Sequence, residues 1–216
     1  MHNTFPDSRL LDNPLRTPEA DRRLEALTDV VSEYQSEYPF VLGATVYGST
    51  MHGGANEKSD VDAFIFVDPD VAAELAGAPL EQEDYVELAR ATERDVLKRV
   101  GVDKEQVSSG KRSDIQICPM NEGLIDGAIA TYEAQQAQYV TYKNREEQLF
   151  DQYIESIDSD ETFDDYAKRQ GFDTSNEPLS PLLDWEMAAL FHPTVGGDTA
   201  IRSLRQQLLQ RIEASP

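Results

Sequence analysis

Apolar positions recur along the chain with two different periods, and the change from one to the other marks its organisation. Thr17-Pro18-Glu19 combines an N-cap, a proline at the first helical position and an early acid, and Leu24, Leu27, Val31 and Tyr34 then form a helical stripe that Pro39 ends. Val41 to Tyr47 is a short apolar run, rich in β-branched and aromatic residues, and reads as a buried strand that stops in a turn at Gly48. Ser49 to His52 can begin a short helix. A second strand is expected from about Asp60 to Val67, and Arg112 to Cys118 alternates like a third. Asp68-Pro69-Asp70 opens a short Ala-rich helix that Gly77-Ala78-Pro79 breaks, and a longer helix runs from about Asp84 to Val100 with Leu88, Thr92, Val96 and Leu97 inward.

From about Asn121 onward strand signals nearly vanish and helical stripes take over. One is Leu149, Phe150, Tyr153, Ile154 and Ile157; another is Ile201, Leu204, Leu208, Leu209 and Ile212. Ser156 to Pro181 is acidic and turn-rich and reads as a connector or mobile lid, while Trp185 to His192 reads as a helix followed by a Gly196-Gly197 turn. The pattern predicts an α/β (α+β) fold. Residues 1–16 are a loose arm, 17–120 a small mixed sheet flanked by helices, and 121–216 a helical bundle that closes the cleft of that sheet.

Composition narrows the partners. The formal net charge is −22, from 41 acidic against 19 basic residues, and such a surface repels polyanions, so generic DNA or RNA is a poor substrate. Adaptation to high salt would produce the same acidic excess. Cys118 is the single cysteine, which excludes an intrachain disulfide and suits a reducing, cytoplasmic setting. No apolar run reaches membrane-spanning length, the first residues lack a signal-peptide core, and histidines at 2, 52 and 192 form no zinc motif.

The chemistry concentrates between Val46 and Asp68. Gly48 permits close approach of the backbone, and a helix start at Ser49 offers N–H groups, a dipole end and a hydroxyl to a phosphate. With side chains alternating along a strand, Asp60 and Asp62 project together and Val61 lies opposite. Paired carboxylates repel unless a cation lies between them, and Mg²⁺, or Mn²⁺ in its place, takes such hard oxygen ligands together with substrate phosphates. Asp114 offers a third carboxylate on the face it shares with Gln116. Together these residues suit two-metal phosphoryl transfer. Lys58, Lys111 and Arg112 flank the acidic strands, and Arg202 and Arg205 open the last helix; each reads either as a solvated charge or as a phosphate contact.

Gly48-Ser49, Gly53, Ser59-Asp60-Val61-Asp62 and the later Asp114 resemble the motif of the nucleotidyltransferase superfamily that includes DNA polymerase beta and the small minimal nucleotidyltransferases. The resemblance implies metal binding by Asp60 and Asp62, and a metal or base role for Asp114. The residues themselves suggest an NTP bound through Gly48 and Ser49 with His52 and Lys58 as candidate contacts, and the acidic surface favours a hydroxyl of a small molecule or protein as acceptor of the nucleoside monophosphate. Many minimal members carry arginine where this chain has His52, a departure that bears on the strength or pH dependence of triphosphate binding. Two other readings remain open at this point: a non-catalytic nucleotide-sensing regulator, and a toxin–antitoxin component acting on a partner protein or tRNA.

Overall fold

The computed structural model describes residues 16–102, 114–156, 161–178 and 185–214. The arm (apart from Arg16), Lys111, Arg112 and Ile157 lie outside them. Helix α1 (Pro18–Glu37) begins where Thr17 accepts the Ala20 N–H and Pro18 needs no partner for its nitrogen. Strand β1 (Val41–Val46) follows, then the short helix α2 (Gly48–His52), strand β2 (Ala63–Val67), α3 (Pro69–Ala76) and α4 (Gln82–Val100). Strand β3 (Ile115–Pro119) leads into α5 (Glu122–Ser156). Asp68 caps α3 and Gly77 ends it in the left-handed conformation, as the Asp-Pro and Gly-Ala-Pro signals predict.

The second strand is shorter than expected: Asp60, Val61 and Asp62 precede β2 without joining the ladder, and Asp114 likewise precedes β3. The carboxylates therefore belong to strand entrances, where the backbone is not committed to a full ladder and can turn toward its neighbours.

The sheet has the order β3-β2-β1-β4, with β1 antiparallel to β2 and β2 parallel to β3. Strand β4 (Thr194–Val195) pairs antiparallel with Ala44 and Thr45 of β1, a pairing the sequence pattern does not contain because two residues carry no period. One face of the sheet, through Ala44, Val46, Ala63, Ile65 and Ile115, packs with Leu27, Val30 and Val31 of α1 and Val96 and Val100 of α4 in one apolar core. On the other face the buried Thr45 hydroxyl donates to the Ala189 carbonyl at 2.9 Å, tying the short helix α7 (Trp185–Ala189) to β1. The final helix α8 (Asp198–Ala214) packs on β1, with Ile201 and Leu208 fully buried.

Contacts divide the chain into two units, one holding residues up to Ile125 with Trp185–Ala214, the other Asp126–Asp184. The residues that the pattern placed in one helical region are thus shared between two units. In the second unit Leu149, Tyr166 and Ala167 form a small core lined by Tyr153, Phe163 and Phe172. Phe150 and Ile154, read as part of that stripe, are exposed, because the long helix turns only one narrow face to this core. The supposed connector contains α6 (Phe163–Arg169), capped by Thr162, and a 3-10 turn at Thr174–Asn176. Among the described residues no helix is long and apolar enough to cross a membrane.

Candidate active site

Asp60, Asp62 and Asp114 each offer a carboxylate oxygen within 4.8 Å of the others, and all three are half-buried. The backbones of Asp62 and Asp114 are tied in place: the Tyr47 N–H donates to the Asp62 carbonyl at 3.0 Å, and the Ala63 N–H and Tyr47 hydroxyl both donate to the Asp114 carbonyl at 3.2 Å. Gln116 in turn donates from Nε2 to the Tyr47 hydroxyl at 3.2 Å. Burial raises the Asp62 carboxyl to about 6, helped by the neighbouring charges of Asp60 and then Asp114 and opposed by the Ser49 N–H it accepts. Carboxylates held this close in a partly dry place fit a divalent cation, which would relieve the repulsion.

Gly48 is required by this packing. Its φ is +62°, and a Cβ built there would lie 1.8 Å from the Asp62 carboxylate. The side chain of Asp62 fills the space that the glycine leaves and accepts the Ser49 N–H at the start of α2. That N–H is therefore committed to Asp62, a correction to the expectation that the helix start is wholly open to phosphate. The Ser49 hydroxyl remains. Gly48→Ala should cost about 1–2 kcal/mol of stability from the left-handed backbone and displace the Asp62 carboxylate. Metal-dependent nucleotide affinity should fall about 10–100-fold, as for a ligand whose support is lost; calorimetric titration beside a melting curve separates the two effects.

Two arginines of the first unit hold the loops that carry these groups. Arg23 is fully buried; its guanidinium donates to the Ser59 and Glu57 carbonyls at 3.0 and 3.3 Å and to the Glu19 carboxylate at 2.7 Å. The Glu19 carboxyl is consequently held below its ordinary range, first by Arg23 and then by Arg22. Arg16 donates to the Met51 carbonyl at 3.1 Å, and the Thr17 N–H and hydroxyl donate to Gly53 and Ala55 at 2.8 and 2.5 Å. Neither arginine stands out in sequence, because each reads as an ordinary helix or loop charge until the tertiary contacts exist.

His52 lies exposed at the far end of α2, and Lys58 is exposed on the Asn56 turn that precedes Asp60. Arg205, read as a possible phosphate contact, is engaged in structure: it donates to the carbonyls of Leu190 and His192 at 2.8 and 3.2 Å and to the Thr194 hydroxyl at 3.2 Å. Those bonds hold His192 against the sheet, where its ring stacks on Phe64 with centroids 5.8 Å apart and meets Tyr47 at 5.9 Å. Tyr47 and Phe64 are themselves stacked at 4.5 Å. Nothing in the local sequence around His192 signals this placement.

A small mixed sheet with a glycine-serine turn after its first strand and acidic strand entrances is an arrangement that suits a phosphate beside a metal ion. Residues 27–118 match the family model of the nucleotidyltransferase domain, and the match contains the turn and all three aspartates. No curated protein and no solved structure matches the chain.

Proposed function

We propose that this protein transfers a nucleoside monophosphate from an NTP to a hydroxyl of a small molecule or protein, with release of pyrophosphate. The observation that carries this reading is the convergence of Asp60, Asp62 and Asp114 within 4.8 Å, beside the Gly48-Ser49 turn, inside the stretch that matches the nucleotidyltransferase domain. A divalent cation held by the three aspartates, Mg²⁺ or Mn²⁺, would neutralise charge at the α-phosphate and lower the pKa of the attacking hydroxyl. Asp60 and Asp62 serve as its ligands, and Asp114 as a further ligand or as the base that accepts the hydroxyl proton. The Ser49 hydroxyl and the turn around it hold the terminal phosphates and orient the leaving group, with His52 and Lys58 as exposed contacts at its margin. Gly48 acts indirectly by leaving room for Asp62. A net charge of −22 provides little counterion release on a phosphate backbone, which favours a small-molecule or protein acceptor over a polynucleotide.

The test is titration calorimetry with each NTP in Mg²⁺ and in chelator, coupled to a pyrophosphate-release assay. Binding should appear in Mg²⁺ and vanish in chelator, since without a cation the carboxylates repel the triphosphate. Equal affinity in both conditions would overturn the metal site.

A further inference from the structure

Resting on the nucleotidyl-transfer reading, we propose that His192 is the nucleobase platform of this site: its ring, with Tyr47 and Phe64, forms the wall against which the base of the NTP stacks. His192 lies outside the matched nucleotidyltransferase domain, at residues 27–118, and reaches the site only because the chain returns to β1 after the second unit. The wall is continuous with the reaction centre. Tyr47 directly precedes the Gly48-Ser49 turn, and its hydroxyl bonds the Asp114 backbone, so the ring face starts one side chain from the triad. Phe64 is buried beneath, whereas Tyr47 and His192 keep part of their surface open.

The imidazole is suited to a base and not to a phosphate. Its Nδ1 is buried with no hydrogen-bond partner among the described residues. A buried lone pair is tolerated better than a buried orphan N–H, which assigns the proton to Nε2. Burial, and then the nearby His52, lowers the pKa of the ring, which favours its uncharged form. An uncharged ring has little to offer a triphosphate, but it can stack on any base and donate one hydrogen bond from Nε2 to a base edge.

The experiment compares non-hydrolysable analogues of the four NTPs with inorganic tripolyphosphate, each titrated in Mg²⁺ by calorimetry. His192→Ala should weaken every analogue about tenfold, the lower part of the range for one base stacked on an aromatic side chain. Tripolyphosphate should bind unchanged, and His192→Phe should recover most of the loss. In the parent protein, where only three histidines give imidazole signals, the analogues but not tripolyphosphate should shift the His192 ring resonances by ring current. This measurement stands even if His192→Ala fails to fold. Unchanged analogue affinity in His192→Ala, equal weakening of tripolyphosphate, or a His192 resonance indifferent to the base would each overturn the platform. Absence of Mg²⁺-dependent binding of either probe would overturn the nucleotidyl-transfer reading itself and this inference with it.

Discussion

Asp62→Asn should abolish transfer while making the metal-free protein more stable at neutral pH. Losing one carboxylate ligand removes several kcal/mol of charge stabilisation at the phosphate, a fall in turnover of about a thousandfold. Stability moves the other way because the carboxyl is raised to about 6 in the folded chain, against about 3.9 for an unperturbed aspartate. Below about pH 4 the side chain is protonated whether folded or unfolded and exerts no penalty. As pH rises through this window the unfolded chain ionises first, so the folded state loses stability, and above about pH 6 the loss is complete. Asparagine carries no charge and can still accept the Ser49 N–H. Allowing for solvent screening of a half-exposed group, the gain at pH 7–8 is about 1 kcal/mol, or about 2–4 °C in a chain of this size. Melting curves in chelator at pH 3.5 and pH 8 should show no difference at the first and a more stable variant at the second. Added Mg²⁺ should raise the melting temperature of the parent and not that of the variant. A variant less stable than the parent at pH 8 in chelator would contradict the electrostatic reading of the triad.

The second large effect is expected at a residue remote from the chemistry. Arg23→Ala removes a fully buried guanidinium that binds two loop carbonyls and the Glu19 carboxylate. Losing hydrogen bonds from a buried charged group costs about 2–3 kcal/mol, roughly a 5–10 °C drop in melting temperature. Arg23→Lys should recover only part of this, since an ammonium cannot reproduce the planar fork that reaches Ser59, Glu57 and Glu19 together. The Ser59 carbonyl is adjacent to Asp60, so at temperatures where Arg23→Lys is folded its Mg²⁺-dependent nucleotide affinity should also fall. Calorimetric melting and titration of both variants would check this. A loss below about 1 kcal/mol for Arg23→Ala, the size of an average substitution, would show that the turn holds its shape without the arginine.

The candidate site was legible where its chemistry is local. Gly48, Ser49, Asp60 and Asp62 fall within a stretch of sequence short enough for turn and strand preferences to act directly, and their residue types point to phosphate and metal without any long-range contact. Asp114 could be singled out because it opens an alternating run. The extents were less legible: β2 begins at Ala63, not Asp60, because strand ends are decided by which backbone groups find partners, and here Asp62 and Asp114 direct their carbonyls to Tyr47 and Ala63.

By itself the sequence determined the helix starts at Thr17 and Asp68, the first strand and its turn, the paired aspartates and the acidic surface, because each depends on neighbours a few residues away or on composition alone. Only the tertiary structure decided that Thr194–Val195 extends the sheet, that Arg205 is a structural clamp, that Arg23 braces the turn before Asp60, and that His192 lies on Phe64. These facts depend on contacts between segments far apart in the chain, such as the bond from Thr45 to Ala189 across 144 residues. A histidine or arginine in sequence carries no mark of the partner it will meet. Its surroundings are set when the apolar faces of β1, α1, α4 and α8 bury one another and bring the polar groups between them into reach.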